Sequence, residues 1–329
     1  MAQLYHAVAR ERLLKRPSRI VVPRATRLAI RLAALVLALA AAALPVSAVD
    51  DGAGGRPPAQ EPVARFSSGV QLVEVYATVV DATGELVTGL RKEDFDVFED
   101  GRRQEVTTFA SGEFPLTVAL GVDRSWSMAG EPLRLAKQAS QAFLRQLTPV
   151  DRSMVVAISS DEEVIAPLDS SRAAQAEAID GLDPWSTTAL HDAIIGTLNH
   201  LEPEAGRQAL VVFSDGADRY STTTAAEVIA RARRSNALVY PIAFGRTRPA
   251  LLAELAVLTG GRSFLLRDAR ELEKTLATIA RELRHQYLLG YAPAEAIARG
   301  TREWRSIAVT LRGARSGLRV RARDGYLTE

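Results

Sequence analysis

The spacing of apolar residues changes character three times along this chain. Residues 32–49 (LAALVLALAAAALPVSAV) are uncharged and apolar with no polar face. Residues 70–81 (VQLVEVYATVVD) alternate apolar and polar positions, the period of a strand. Ala82-Thr83-Gly84-Glu85 supplies a turn after it. Residues 95–99 read as a second strand, Asp100-Gly101 as a hairpin turn, and residues 104–109 as the return strand. This region predicts a small β module.

From Leu116 the pattern becomes strands alternating with helices. Residues 116–122, 153–159, 164–168, 209–213, 238–244 and 263–266 read as strands, several of them apolar throughout. Residues 132–147, 171–179, 188–201, 223–235, 250–258 and 269–285 read as helices. Continuous apolar strands between helices indicate a mostly parallel sheet covered on both faces, with right-handed crossovers. Residues 286–291, 304–311 and 318–322 return to strands. The expected fold is α/β, with a doubly wound, mostly parallel central sheet flanked by helices. A small β-sandwich-like module formed from the segments on either side completes it. The expected organisation is a leader over 1–48, a linker over 49–65, a β module begun by 66–112, an α/β domain over 113–285, and a β segment over 286–329 that completes the module. Such an insertion is easy because the two ends of a domain often lie close together.

The apolar run is preceded by basic residues and ended by Val46-Ser47-Ala48, whose small residues fit a signal-peptidase site. Its 18 residues are also at the lower limit for a membrane span. It is therefore either a signal peptide cut after Ala48 or a retained anchor. The basic region before it is long for a signal, so a start downstream of Met1 stays open. Either way residues 49–329 are expected to be exported: periplasmic, secreted or envelope-associated. Membrane contact would come only through an uncleaved leader. Residues 50–65, rich in Gly, Pro, Ala and charge, read as a linker.

Charge sharpens this division. The chain of 329 residues has net charge +2 and a pI near 9.0, which invites a nucleic-acid reading. Residues 1–48 hold eight basic residues against Glu11, and residues 299–329 hold eight against three acidic ones. The body between them carries 25 basic and 35 acidic residues, a balance of −10. A nucleic-acid footprint needs a basic face on the folded domain, so that partner is not expected. The basic tail reads as a solvated strand face that pairs with the acidic module. With no cysteine, disulfides, thiolate metal sites and a cysteine nucleophile are excluded. Four histidines and no His-Glu-x-x-His motif argue against a zinc hydrolase.

The candidate chemistry sits where apolar strands end. Residues 116–122 run into Asp123-Arg124-Ser125-Trp126-Ser127. Ligands of open α/β sheets bind at the carboxyl ends of strands. A carboxylate with two hydroxyls at alternating positions is a hard oxygen set, suited to Mg²⁺ or Mn²⁺. Trp185-Ser186-Thr187-Thr188 offers hydroxyls before a helix, where Thr188 could equally be a cap. Phe213-Ser214-Asp215-Gly216 ends another apolar strand with a second carboxylate. Each loop alone is an ordinary turn; the three together, in order on one sheet, point to a metal site.

Over roughly residues 115–285 the chain resembles a von Willebrand factor type A domain with a metal-ion-dependent adhesion site. The resemblance implies Asp123, Ser125, Ser127, Thr188 and Asp215 as the ion-coordinating set, some acting through water. It also implies a coordination position open to a Glu or Asp of a protein partner. The chain further resembles a bacterial exported subgroup, on Val87-Thr88-Gly89-Leu90, Asp94-Phe95 and Arg323-Asp324-Gly325-Tyr326. It departs from the family in having Trp126 where Gly separates the serines, and Ser186-Thr187 where Gly-Gly precedes the threonine.

The expected function is thus an exported, non-enzymatic adhesion or interaction module that bridges through a divalent cation to an acidic residue of a partner protein. Trp126 and Trp185 would form an aromatic rim for that partner, or else fill the space of the missing glycines. One alternative is a purely structural envelope spacer. Another is a hydrolase with Ser125 or Ser127 as nucleophile, His191 as base and Asp215 as orienting acid, although no Gly-x-Ser-x-Gly elbow is present.

Overall fold

The computed structural model describes residues 72–112, 114–204, 206–268, 271–294, 302–313 and 317–328. The leader and linker expected over 1–65 lie outside them. In chain order, β1 (Val73–Val80), β2 (Phe95–Glu99), β3 (Arg102–Gln104) and β4 (Val106–Gly112) come first. Then follow β5 (Leu116–Asp123), α1 (Glu131–Gln146), β6 (Arg152–Ile158), β7 (Glu162–Ala166), α2 (Arg172–Asp180) and α3 (Leu190–Leu201). β8 (Arg207–Ser214), α4 (Ala225–Arg234), β9 (Leu238–Phe244), α5 (Ala250–Thr259), β10 (Phe264–Leu266) and α6 (Glu271–Arg284) complete the α/β part. β11 (Gln286–Tyr291), β12 (Trp304–Leu311), β13 (Arg319–Arg321) and β14 (Gly325–Leu327) end the chain.

The central sheet runs β10-β9-β8-β5-β6-β7, parallel except for β7, which is antiparallel to β6. All eight residues of β5 are buried, as its largely apolar sequence predicts for the middle of a doubly covered sheet. Its residues alternate between two cores. Leu116, Val118, Leu120 and Val122 pack with Phe143 of α1, Ile179 of α2 and Leu276 of α6. Ala119 packs on the opposite face with Ile194 of α3, Val228 of α4 and Leu255 of α5. Helix starts are written locally: Ser171 caps α2 through Ala174 N–H, and Thr224 with Glu227 forms a capping box on α4.

The flanking strands form two antiparallel sheets, β13-β1-β11-β4 and β14-β12-β2-β3. A third core lies among them, with Val75, Phe95, Val97, Tyr287, Leu289 and Ile307. β1 pairs with β11 and β2 with β12, so segments from before and after the α/β part interleave. The single return strand expected over 104–109 is instead two strands in different sheets. β3 pairs with β2, and β4 pairs with β11. A period of two marks extended chain but not which sheet it joins, so the crossing at Glu105 has no sequence signal. β14 also escapes periodicity, being only three residues long.

The basic tail finds acidic partners. Arg305 reaches Asp100 at 3.1 Å, Arg312 reaches Asp96 at 3.1 Å, and Arg321 reaches the fully buried Glu282 of α6 at 2.6 Å. Solvated pairs of this kind contribute about 0–1 kcal/mol each, so the first two mainly set register. The Arg-Asp-Gly-Tyr segment joins the sandwich to the α/β part. Arg323 donates to Asn236 Oδ1 at 2.6 Å, Asp324 N–H donates to the Leu258 carbonyl at 2.9 Å, and the Tyr326 hydroxyl donates to Glu99 at 3.0 Å. Gly325 has no room for a side chain: a Cβ there would lie 2.3 Å from the Arg305 carbonyl.

Candidate metal centre

β5 lies between β8 and β6, and the chain leaves its two flanks in opposite directions. That is the switch point of the sheet, where the loops after β5 and β8 diverge and leave a crevice. Asp123 is the last residue of β5 and is fully buried. Its Oδ1 accepts the Ser125 N–H at 2.9 Å, and its Oδ2 accepts the Ser214 hydroxyl at 2.7 Å. No ion pair reaches it among the described residues. Burial pushes the Asp123 carboxyl above the usual carboxylate range, and the charge of Asp215 adds to this, against the pull of the serine hydrogen bonds.

Trp126–Met128 forms a short 3-10 turn after Ser125. Met128 is fully buried in the core beneath and anchors the loop. Ser125 is buried and Ser127 exposed, with their hydroxyl oxygens 3.1 Å apart. The 185–189 loop is laced to this turn. Trp185 N–H donates to the Arg124 carbonyl at 2.7 Å, and Trp126 N–H donates to the Ser186 carbonyl at 3.1 Å. Thr188 is buried, and its carbonyl accepts N–H groups of both Arg219 and Tyr220 at 3.0 Å. Its hydroxyl makes no hydrogen bond among the described residues. Thr188 is not a cap: Ala189 holds that position on α3, with no side-chain bond.

Asp215 is half-buried, its Oδ1 accepting the Ala217 N–H at 2.9 Å. Gly216 follows with φ 80°, and a Cβ there would lie 2.1 Å from Pro249. Two constraints thus require glycine beside the second carboxylate. The structure therefore brings Asp123, Ser125 and Ser127 into direct contact, ties Thr188 to them through laced loops, and sets Asp215 within electrostatic reach. No group of three or more His, Cys, Asp or Glu residues is placed to hold a metal among the described residues. An ion held here would depend on two carboxylates, three hydroxyls and water, a hard donor set that fits Mg²⁺ or Mn²⁺.

The family departures have a conformational answer. Trp126 occupies ordinary helical backbone, so glycine is unnecessary there. Ser186 has φ 60°, a left-handed conformation in which glycine is at ease and serine is not. Neither tryptophan fills a core gap: Trp126 is 65% and Trp185 58% exposed. Tyr220, 63% exposed and bonded through its N–H to Thr188, stands beside the same site. No pattern in the sequence singles it out, nor does any pattern reveal that Ser214 supports Asp123. His191 does not serve the serines. Its Nδ1 lies 3.0 Å from the Thr223 carbonyl and 3.6 Å from Asp218.

The fold is a doubly wound α/β domain with carboxylate and hydroxyl oxygens gathered in the crevice at its strand ends. Residues 118–278 match the family model of the von Willebrand factor type A domain, and domains of this family typically mediate protein–protein interaction. Among solved structures, the chain is similar to a von Willebrand factor type A protein from Catenulispora acidiphila. Identity there is 18% over 78% of this chain and 73% of that one, with a TM-score of 0.47. It is also similar to the vWF domain of the type V pili tip protein Mfa5 from Porphyromonas gingivalis, at 12% identity over 51% and 95%, with a TM-score of 0.44. BatB from Bacteroides thetaiotaomicron matches at 16% identity over 50% and 99%, with a TM-score of 0.40. A search of curated proteins returns no match.

Proposed function

We propose that this chain is an exported interaction module that grips its partner through a divalent cation. Asp123, Ser125, Ser127, Thr188 and Asp215 would hold Mg²⁺ or Mn²⁺, directly or through water. The partner's Glu or Asp would fill the remaining coordination position. The observation that carries this reading is a fully buried carboxylate, Asp123, with a second one beside it and no ion pair to either among the described residues. Burying such a charge is costly unless a counter-charge is supplied. The ion would supply positive charge facing solvent, and a partner carboxylate would replace one of its waters. Trp126, Trp185 and Tyr220 are exposed on or beside these loops and would offer the partner an aromatic rim, the composition of interface hot spots.

Export rests on the apolar run with its basic approach at the N-terminus. No helix among the described residues is long and apolar enough to cross a membrane. Titration calorimetry of the chain with Mg²⁺ and with Mn²⁺ tests the metal. Saturable binding that disappears in Asp123→Ala is expected, and no binding at millimolar ion would overturn the proposal. Partner capture must then be reversed by chelator; chelator-resistant capture would reject the bridging role.

A further inference from the structure

A cavity of about 320 Å³ lies far from the proposed ion, where the sandwich meets the α/β part. Its size falls within the range of about 300–1,000 Å³ typical of small-molecule sites. Both layers contribute walls: Leu258 and Arg234 from the α/β side, Tyr76, Arg323 and Leu327 from the sandwich side. The basic residues around it divide into two kinds. Arg231 is spent on Asn199, the Leu198 carbonyl and Glu202. Arg233 stacks over Trp304 with its guanidinium carbon 5.1 Å from the ring centre, and lies 3.5 Å from Asp324.

Arg234 and Arg323 have no carboxylate partner among the described residues. Arg323 donates only to neutral acceptors, the Gly325 carbonyl at 2.7 Å and Asn236 Oδ1 at 2.6 Å. Burial lowers its pKa, outweighing the raising influence of nearby Tyr291, Asp324 and Tyr326. Two acids reach the wall: Glu204 is engaged by Arg152, while Glu74 makes no ion pair among the described residues and offsets part of the positive charge. With three arginines against two glutamates in the lining, one of the glutamates already paired elsewhere, the cavity combines an excess of positive charge, planar fork donors and apolar surface. Guanidinium forks match carboxylate and phosphate oxygens pairwise.

We propose that this junction cavity binds a small organic oxyanion, its phosphate or carboxylate held by Arg234 and Arg323 and its apolar body against Leu258 and Leu327. Because the ligand would touch both layers, binding would clamp the sandwich onto the α/β part. The probes are phenyl phosphate and benzoate, with benzyl alcohol as an uncharged control of similar shape. Calorimetry and thermal unfolding of the chain should show at least one anion binding below about 1 mM and raising the melting temperature, and the alcohol doing neither. The two anions distinguish a phosphate from a carboxylate preference. Arg234→Gln should weaken binding about tenfold or more, since a hydrogen bond to a charged group is lost. It should leave the unliganded melting temperature unchanged, because Arg234 is exposed and its side chain makes no hydrogen bond or ion pair among the described residues. Arg323→Gln should abolish binding but also loosen the junction, so Arg234 carries the decision. Binding of neither anion at several millimolar, or binding unaffected by Arg234→Gln, would overturn the proposal.

Discussion

The hydroxyl of Ser214, at the end of β8, donates to Oδ2 of Asp123, at the end of β5, at 2.7 Å. The same oxygen of Ser214 accepts the Gly216 N–H at 3.0 Å, so one side chain ties both acidic loops of the crevice together. A group that orients a ligand carboxylate in this way typically changes metal affinity by about 10–100-fold. Ser214→Ala should therefore weaken Mn²⁺ binding at least tenfold in calorimetry while circular dichroism stays native. Unchanged affinity would show that Asp123 needs no such support.

Ser186 keeps a left-handed backbone without being glycine. That conformation costs a non-glycine residue about 1–2 kcal/mol, and glycine loses about 0.5–1 kcal/mol through its looser unfolded chain. Ser186→Gly should thus stabilise the protein by about 0.5–1 kcal/mol in urea unfolding. Destabilisation would mean that the serine side chain does something its geometry does not reveal.

Glu282 is fully buried between Arg262 at 3.1 Å and Arg321 at 2.6 Å, one from each layer. Removing it would leave two guanidiniums facing a buried void, a loss of about 3–5 kcal/mol. Glu282→Ala should lower stability by that order, and limited proteolysis should release the sandwich strands early. A loss under about 1 kcal/mol would show that the pair is solvated.

Asp192 of α3 holds the loop after β8. It accepts the N–H and hydroxyl groups of Thr222 and Thr223 at 2.5–3.2 Å. Burial alone would raise its pKa, but these hydrogen bonds outweigh it and hold the carboxyl below its ordinary range. The folded state thus releases this proton more readily than the unfolded chain. Its stabilisation is present above the ordinary carboxylate pKa of about 4 and is lost as pH falls through the depressed folded value. Asp192→Asn should cost about 1–2 kcal/mol at pH 7, and the difference from the parent should shrink towards pH 3. A gap independent of pH would contradict the assignment.

The α/β layer was legible in the sequence because its strands are buried on both faces. A run as apolar as residues 116–122, with Thr117 its one polar side chain, needs helices above and below it, and that need leaves few topologies open. The crevice was legible for a related reason. Asp123 follows such a run directly and Asp215 follows one after Ser214, so strand ends announced them. The flanking strands were less so. Their alternation marks them as half-buried, yet a period of two names neither the partner nor the sheet, and the three residues of β14 are too few to register.

What the linear chain determined by itself was the division into a basic and apolar N-terminal stretch, an acidic body and a basic tail, the doubly covered sheet, and the oxygens at its strand ends. Tertiary structure alone decided that Ser214 supports Asp123, that the Tyr220 N–H bonds the Thr188 carbonyl, and that Arg321 closes on Glu282. It also decided which arginines find carboxylates and which face the junction cavity. These contacts join residues far apart in sequence. Local spacing encodes burial, but pairing depends on how separate elements are brought together, and that is set by the packing of the whole core.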